Sequence, residues 1–336
     1  MTKISATVVA DSINESGNRI TTMKVVMPRM ILAEFNTHRA FSRNTSSSRA
    51  VPFEKMVELV KKDLFIPIAF QRDHKGMQGT EYLTSEVDKT WAKDLWLTAA
   101  RRAIKCAEDL HFGVNVTKQL CNRLLEPFMW TTVLVTASEW SNFFELRCPQ
   151  YVTPHGTFKS IEQLAAYTAE NSGRYYEGID GRKYMEGMQI SFVDALASGL
   201  NKGQSEIHMM ALAERMWDAR NQSVPKKLKN DEWHIPFGDG INEADATFSF
   251  SVENYEQRLQ ELKVKISTAR CARISYTLVG DGDKPANYEN DIKLHDQLLE
   301  SMHFSPFEHS AQASEGWFDN FHGFQSYRNQ LQKQSN

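Results

Sequence analysis

Twelve consecutive residues, His38-Arg39-Ala40-Phe41-Ser42-Arg43-Asn44-Thr45-Ser46-Ser47-Ser48-Arg49, carry the densest chemistry in the chain. Three guanidinium groups, a carboxamide, an imidazole and a run of hydroxyls follow directly on the apolar stretch Met30-Ile31-Leu32-Ala33. Guanidinium pairs phosphate through two parallel N–H bonds, and small hydroxyls fill the remaining acceptor positions. The segment therefore suits a planar, anionic ligand. Read from composition alone, it is first a solvated Ser/Arg loop, and it is the order of the residues that points to a ligand. No base stands next to Ser47 in sequence, so orienting a ligand is its expected role rather than nucleophilic attack.

The elements that hold this segment are legible around it. Ile4 to Ala10 and Arg19 to Met27 are rich in β-branched residues and flank the turn cluster Asn14-Glu15-Ser16-Gly17-Asn18, which predicts a β-hairpin. Pro28 opens a short helix turning Ile31, Leu32 and Phe35 to the core, and Pro52 opens a second with Met56, Leu59 and Val60 on one face. Over 86–111 the spacing of Trp91, Leu95, Ala99, Ala103, Ala107 and Leu110 predicts a long helix capped by Ser85, with Trp91, Trp96, Phe143 and Phe144 as core. Helices are also expected near 115–125, after a bend at Thr136, and over 204–219, 253–268 and 288–302, with 221–252 mostly loop. Residues 149–202 break the pattern and read as an insertion or lid, so that 1–148 and 203–336 form one catalytic domain.

Composition bounds the rest. The chain has 336 residues, 41% hydrophobic and 24% charged, with a net charge of -3. That acidic balance argues against a general nucleic-acid binder, while leaving room for a local basic pocket. Cys106, Cys121, Cys148 and Cys271 lack metal-ligand spacing and read as free thiols in a reducing cytoplasm, the host's if the chain is viral. No bound metal and no membrane span are expected.

The order His-Arg-x-x-Ser-x-Asn-x-x-Ser-x-Arg from His38 to Arg49 resembles the signature of the flavin-dependent thymidylate synthases. Arg123-Leu124-Leu125-Glu126-Pro127, with Asn142-Phe143-Phe144-Glu145-Leu146-Arg147, is similar to the family's central block, and Gln204-Ser205-Glu206-Ile207 to the piece that follows it. About fifty residues intervene here, in keeping with the insertion. His303-x-Ser305-Pro306-Phe307-Glu308-His309 resembles the family's His-x-Thr-Pro-Phe-Glu-His segment, which normally lies near the N-terminus, as does the counterpart of Ala272-Arg273-Ile274-Ser275-Tyr276. The chain thus resembles a circularly permuted, phage-type member. Permutation conserves contacts when the original termini are close.

The resemblance implies an α/β (α+β) fold, a largely antiparallel sheet flanked by long helices, assembled as a homotetramer with shared active sites. It implies reductive methylation of deoxyuridine monophosphate (dUMP) to thymidine monophosphate, with bound FAD, NADPH as reductant and methylenetetrahydrofolate as carbon donor. It also implies roles. Ser47, Arg49 and Arg123 bind the nucleotide phosphate; Arg147 reaches the pyrimidine and, with Ser47, is the catalytic candidate; His38, Arg39, Asn142, His303, Ser305, Glu308 and Ser275 contact FAD. Three positions depart from the pattern: Thr37 replaces an Arg, Thr45 a Glu, and Glu34 a Gln that contacts nucleotide. A carboxylate at 34 can accept from a cytosine amino group, which leaves open a deoxycytidylate (dCMP) substrate or a hydroxymethyl product. A non-catalytic nucleotide-binding relative is the alternative from another class. Taken singly, Arg147 also reads as a helix-dipole partner, Asn142 as a C-terminal cap, Glu308 and His309 as a surface pair, and His303 as structural.

Overall fold

A computed structural model describes residues 3–76, 81–153, 156–170, 175–177, 183–185, 201–242, 255–276 and 287–334. Strands β1 (Ser5–Asn14) and β2 (Arg19–Pro28) form the expected antiparallel hairpin, paired from Ser5 opposite Val26 to Ile13 opposite Arg19 with a one-residue register shift between Val8 and Ala10. The Asn14 side chain accepts from the Asn18 amide at 2.8 Å, closing the turn locally. Strand β4 (Trp130–Ala137) pairs antiparallel with β2, and β3 (Ser42–Thr45) pairs antiparallel with β4. A short parallel strand, Lys226–Leu228, extends the opposite edge beside β1. The result is a mixed α/β fold around a five-stranded sheet.

Side-chain alternation along a strand sends one set to each face. Met23, Val25 and Met27 of β2 and Val133, Val135 and Ala137 of β4 bury one face against helix Ile207–Gln222 and helix Ser141–Arg147, through Met209, Leu212, Met216, Phe143 and Phe144. On the other face Leu134 packs on Cys271 and Ile274, at the end of helix Tyr255–Arg273. That face also carries buried Thr22 and Thr136. A separate core joins helix Phe53–Lys62 to helix Glu86–Glu108.

Several expectations are corrected. Ser42–Thr45 is an edge strand rather than loop, because β4 offers it a free row of backbone groups. The long helix runs Glu86–Glu108, capped by Ser85, but buries Ala100, Ile104 and Ala107, while Trp91 is 66% exposed and Leu95 55%. The C-terminal part of the expected stripe does meet the second core, through buried Ala107 and partly buried Ala103 and Leu110. Its N-terminal members Trp91 and Leu95 do not, and Ala100 and Ile104 are buried in their place. Trp96 is half-buried and donates its indole N–H to the Phe65 carbonyl. The tail beyond His309 forms a hairpin, Ala311–Phe318 with Phe321–Ser326, that pairs with Trp233–His234 inside the expected loop. Gly323 sits at φ +75 where a Cβ would meet Asn14 and Asn18 at 2.6 Å, so only glycine lets the tail hairpin dock on the β1–β2 turn.

Part of the 149–202 segment is described: the paired strands Tyr151–Thr153 and Gly156–Phe158, helix Ile161–Glu170, and the paired strands Tyr175–Glu177 and Lys183–Met185. Its ends meet, with the Lys202 amide donating to the Gln150 carbonyl at 2.8 Å. The remainder of that segment, and residues 277–286, lie outside the described residues. Among the described residues no helix is long and apolar enough to cross a membrane, and all four cysteines are free thiols.

Candidate functional site

The Arg/Ser segment enters from a short helix, Leu32–Phe35, whose last carbonyls need partners. Arg43 supplies them: its guanidinium donates to the carbonyls of Phe35, Asn36 and His38 at 3.4, 3.0 and 3.0 Å. One of the three segment arginines is therefore structural. The His38 ring packs edge-on against buried Phe143, 4.8 Å between centroids. Arg147, in the last turn of its helix, donates Nε–H to His38 Nε2 at 3.0 Å, so the ring carries its proton on Nδ1. Burial, then the Arg147 and Arg43 charges, push His38 down to about 4. The ring is neutral at pH 7, with an N–H for a ligand acceptor.

Arg147 also donates Nη1–H to Ser205 at 3.3 Å, just before helix Ile207–Gln222. That helix is capped by Glu206, whose carboxylate accepts from the amides of His208 and Met209 at 2.8 and 2.9 Å. Glu206 also accepts His208 Nδ1–H at 2.5 Å, while His208 Nε2 accepts the Ile68 amide at 2.9 Å. Glu34 faces this group. Its carboxyl is raised above the usual range by burial and then by Glu206, with Arg147 and His208 opposing. Burial, then the Glu206 charge, push the Tyr82 phenol up to about 12. Sequence reasoning singled out neither Tyr82 nor Ser205 as a site residue, since only the fold carries them to Arg147 and Glu34.

Further along the segment, Ser48 donates to Glu126 Oε1 at 2.6 Å, and Arg29 bonds both that carboxylate and the Ser46 carbonyl. Asn122 donates to the carbonyls of Ser48 and Val51 at 2.7 and 3.1 Å. Arg49 follows Ser48 and Arg123 follows Asn122, so this pair of bonds brings the two arginines into one neighbourhood. Both are exposed and engage no carboxylate among the described residues.

The tail arrives at the same strand. Ser305 donates its hydroxyl proton to Asn44 Oδ1, and Asn44 donates to the Cys271 carbonyl at 3.2 Å. The Ser47 amide donates to the Ser275 carbonyl at 3.0 Å. Glu308 pairs with Arg328 and lies near enough to Arg43 to favour its charged form, against the burial that lowers it. Ser47, Ser275, Ser305 and Glu308 are thus gathered with His38, Arg147 and Glu34 along one strip. Arg39, Asn142 and His303 are exposed and make no polar side-chain contact among the described residues. Asn142 lies in the first turn of its helix, not at the C-terminus where a cap would sit. His309 is fully buried and Glu308 half-buried, so they are no surface pair.

Two solved structures resemble the chain at low identity. A UMP/dUMP methylase, PolB from Streptomyces cacaoi, bound with 5-Br dUMP, matches at 14% identity over 50% of this chain and 91% of that one, with a TM-score of 0.36. The same enzyme bound with 5-Br UMP matches at 12% identity over 65% of this chain and 89% of that one, with a TM-score of 0.39. No protein-family model matches the sequence, and no curated protein matches it. The geometry by itself establishes a hydroxyl-rich strip carrying both guanidinium and carboxyl groups on a mixed α/β fold, assembled from segments more than two hundred residues apart.

Proposed function

We propose that the chain catalyses flavin-dependent reductive methylation of dUMP, with NADPH and methylenetetrahydrofolate as co-substrates, and that it is a permuted relative of the flavin-dependent thymidylate synthases acting as a homotetramer. The observation that carries this reading is the meeting of Ser305 with Asn44 and of Ser275 with Ser47. Two blocks that resemble parts of one family site, at opposite ends of the chain, are in contact.

The donor set fits the proposed ligands. Arg49 and Arg123, exposed and unpaired among the described residues, would take the nucleotide phosphate dianion, with the Ser47 hydroxyl completing its shell. Arg39 and His303 stand exposed for the FAD side, with Asn142, Ser305, Glu308 and Ser275. Neutral His38 would donate Nδ1–H to a ring acceptor. FAD supplies the hydride transfer that polar side chains cannot perform. Arg147 is held by His38 and Ser205 at two points. Its remaining N–H groups are free to stabilise negative charge on the pyrimidine carbonyl as the ring becomes nucleophilic. Among the described residues the four cysteines are dispensable to this scheme, three of them being buried.

Glu34 favours a second reading, in which the base is cytosine or the product carries a hydroxymethyl group. A carboxyl raised in pKa beside Arg147 can accept from a cytosine amino group and protonate the neighbouring ring nitrogen. Incubating purified protein with FAD, NADPH, methylenetetrahydrofolate and either dUMP or dCMP, followed by product mass analysis, tests both. A methyl gain on dUMP supports the first reading and a hydroxymethyl gain or dCMP turnover the second. A preparation that binds no flavin and converts neither nucleotide overturns both.

A further inference from the structure

Five polar side chains form a continuous buried ladder across the sheet. Ser12 Oγ lies 2.9 Å from His234 Nδ1, His234 Nε2 is 2.8 Å from Thr22 Oγ1, Thr22 is 2.7 Å from Thr136 Oγ1, and Thr136 is 2.8 Å from His309 Nδ1. All five are at most 4% exposed. The last atom, His309 Nε2, is buried with no partner among the described residues. Burial holds both imidazoles neutral, so each carries one N–H and one lone pair. The hydroxyls must then all point one way, since each donates once, and only two arrangements of the ladder exist.

One end of this ladder lies in the tail block. In the β3–β4 register Thr136 stands opposite Ser42, and Asn44 opposite Leu134. The Ser305–Glu308 turn therefore spans two strands: Ser305 meets Asn44 on the edge strand, and His309, next after Glu308, meets Thr136 on the strand beside it. Between these anchors Phe307 is fully buried and packs on His295 and Tyr327. Apolar packing alone is non-directional, whereas a buried hydroxyl–imidazole bond fixes position along the strand.

We propose that Thr136 is a positioning residue for the cofactor side of the site: its hydroxyl seats His309, and so sets where Ser305 and Glu308 are presented. This rests on the functional reading above, in which the turn faces FAD. Thr136→Val keeps the volume and removes the hydroxyl, while Thr136→Ser keeps the hydroxyl and removes a methyl. Titration of each variant with FAD, followed by visible absorbance, and with dUMP, followed by calorimetry, separates positioning from general damage. T136V is expected to weaken FAD binding about tenfold or more, as loss of outer-shell hydrogen bonds does elsewhere, with dUMP affinity within about twofold and T136S close to wild type. FAD affinity unchanged in T136V, both ligands weakened alike, or T136S failing as badly as T136V would each overturn the proposal. Should T136V not fold, Thr136→Cys, which keeps the volume and weakens the bond, takes its place under the same criteria. If wild type binds no flavin, the functional reading falls, and amide exchange decides the positioning claim. Faster exchange at Phe307, Glu308 and His309 in T136V but not T136S supports it, and unchanged protection refutes it.

Discussion

Replacing His309 by Gln should change how stability depends on pH, by an amount the structure sets. His309 and His234 are fully buried, and burial pushes each down to about 3 from an ordinary 6.5. Each faces little compensating charge: His234 is near Asp11, and His309 is near His234 itself. At pH 5 the unfolded chain protonates such a histidine and the native protein refuses the proton. Stability is therefore full above pH 6.5, falls as pH drops through 6.5, and stops falling near 3. Between pH 8 and pH 5 the loss is about 2 kcal/mol per histidine. Wild type will not show this directly, because two carboxyls work the other way. Burial pushes Glu214 up to about 7 and Asp218 up to about 6. They take up protons in the native state first, adding back about 2 and about 1 kcal/mol over the same interval. Gln at 309 keeps a donor or acceptor for Thr136 and removes the titration. The measurement is urea unfolding of wild type and H309Q, followed by tryptophan fluorescence, at pH 8 and pH 5. The stability gap between them should narrow by about 2 kcal/mol on going to pH 5. A gap constant to within about 0.5 kcal/mol would mean that His309 is not buried and neutral.

Three further outcomes are expected. Arg147→Lys cannot span His38 and Ser205 while keeping spare donors; kcat for dUMP methylation should fall about 100-fold with a smaller change in KM, and a loss below threefold would remove Arg147 from the chemistry. Asn122→Ala leaves the Ser48 and Val51 carbonyls without their donor. It should cost about 2 kcal/mol, seen as a drop in Tm, and a thermally unchanged variant would contradict the role of this bond in pinning the arginine-bearing segments. Glu34→Gln should shift the dCMP-to-dUMP ratio of kcat/KM toward dUMP about tenfold if the carboxyl reads cytosine; an unchanged ratio dismisses the cytosine arm of the second reading.

Local chemistry announced itself in the sequence wherever it depended on neighbours in the chain. The Asn14–Asn18 turn, the Ser85 cap, the prolines before two helices, and the apolar helix over Ile207–Gln222 were readable because turns, caps and periodicity are short-range properties. The candidate strip was partly readable as well, since density of guanidinium and hydroxyl groups marks an anion-binding segment without any coordinates. What the chain could not reveal on its own was allocation. Arg43 looks like Arg39 and Arg49 in sequence, yet it spends its donors on three backbone carbonyls, because the Leu32–Phe35 helix ends beside it. Trp91 and Ala100 both lie at helical spacing on Glu86–Glu108, and only the shape of the neighbouring core decided which of the two was buried. Ser12, Thr22, Thr136, His234 and His309 give no sign of one another along the polypeptide. Pairing of β1, β2 and β4 brings the first three into line, and the long-range docking of the tail adds His309. Tertiary structure alone joins such groups, because a strand's cross-neighbours are set by the register of the whole sheet rather than by any residue's own preferences.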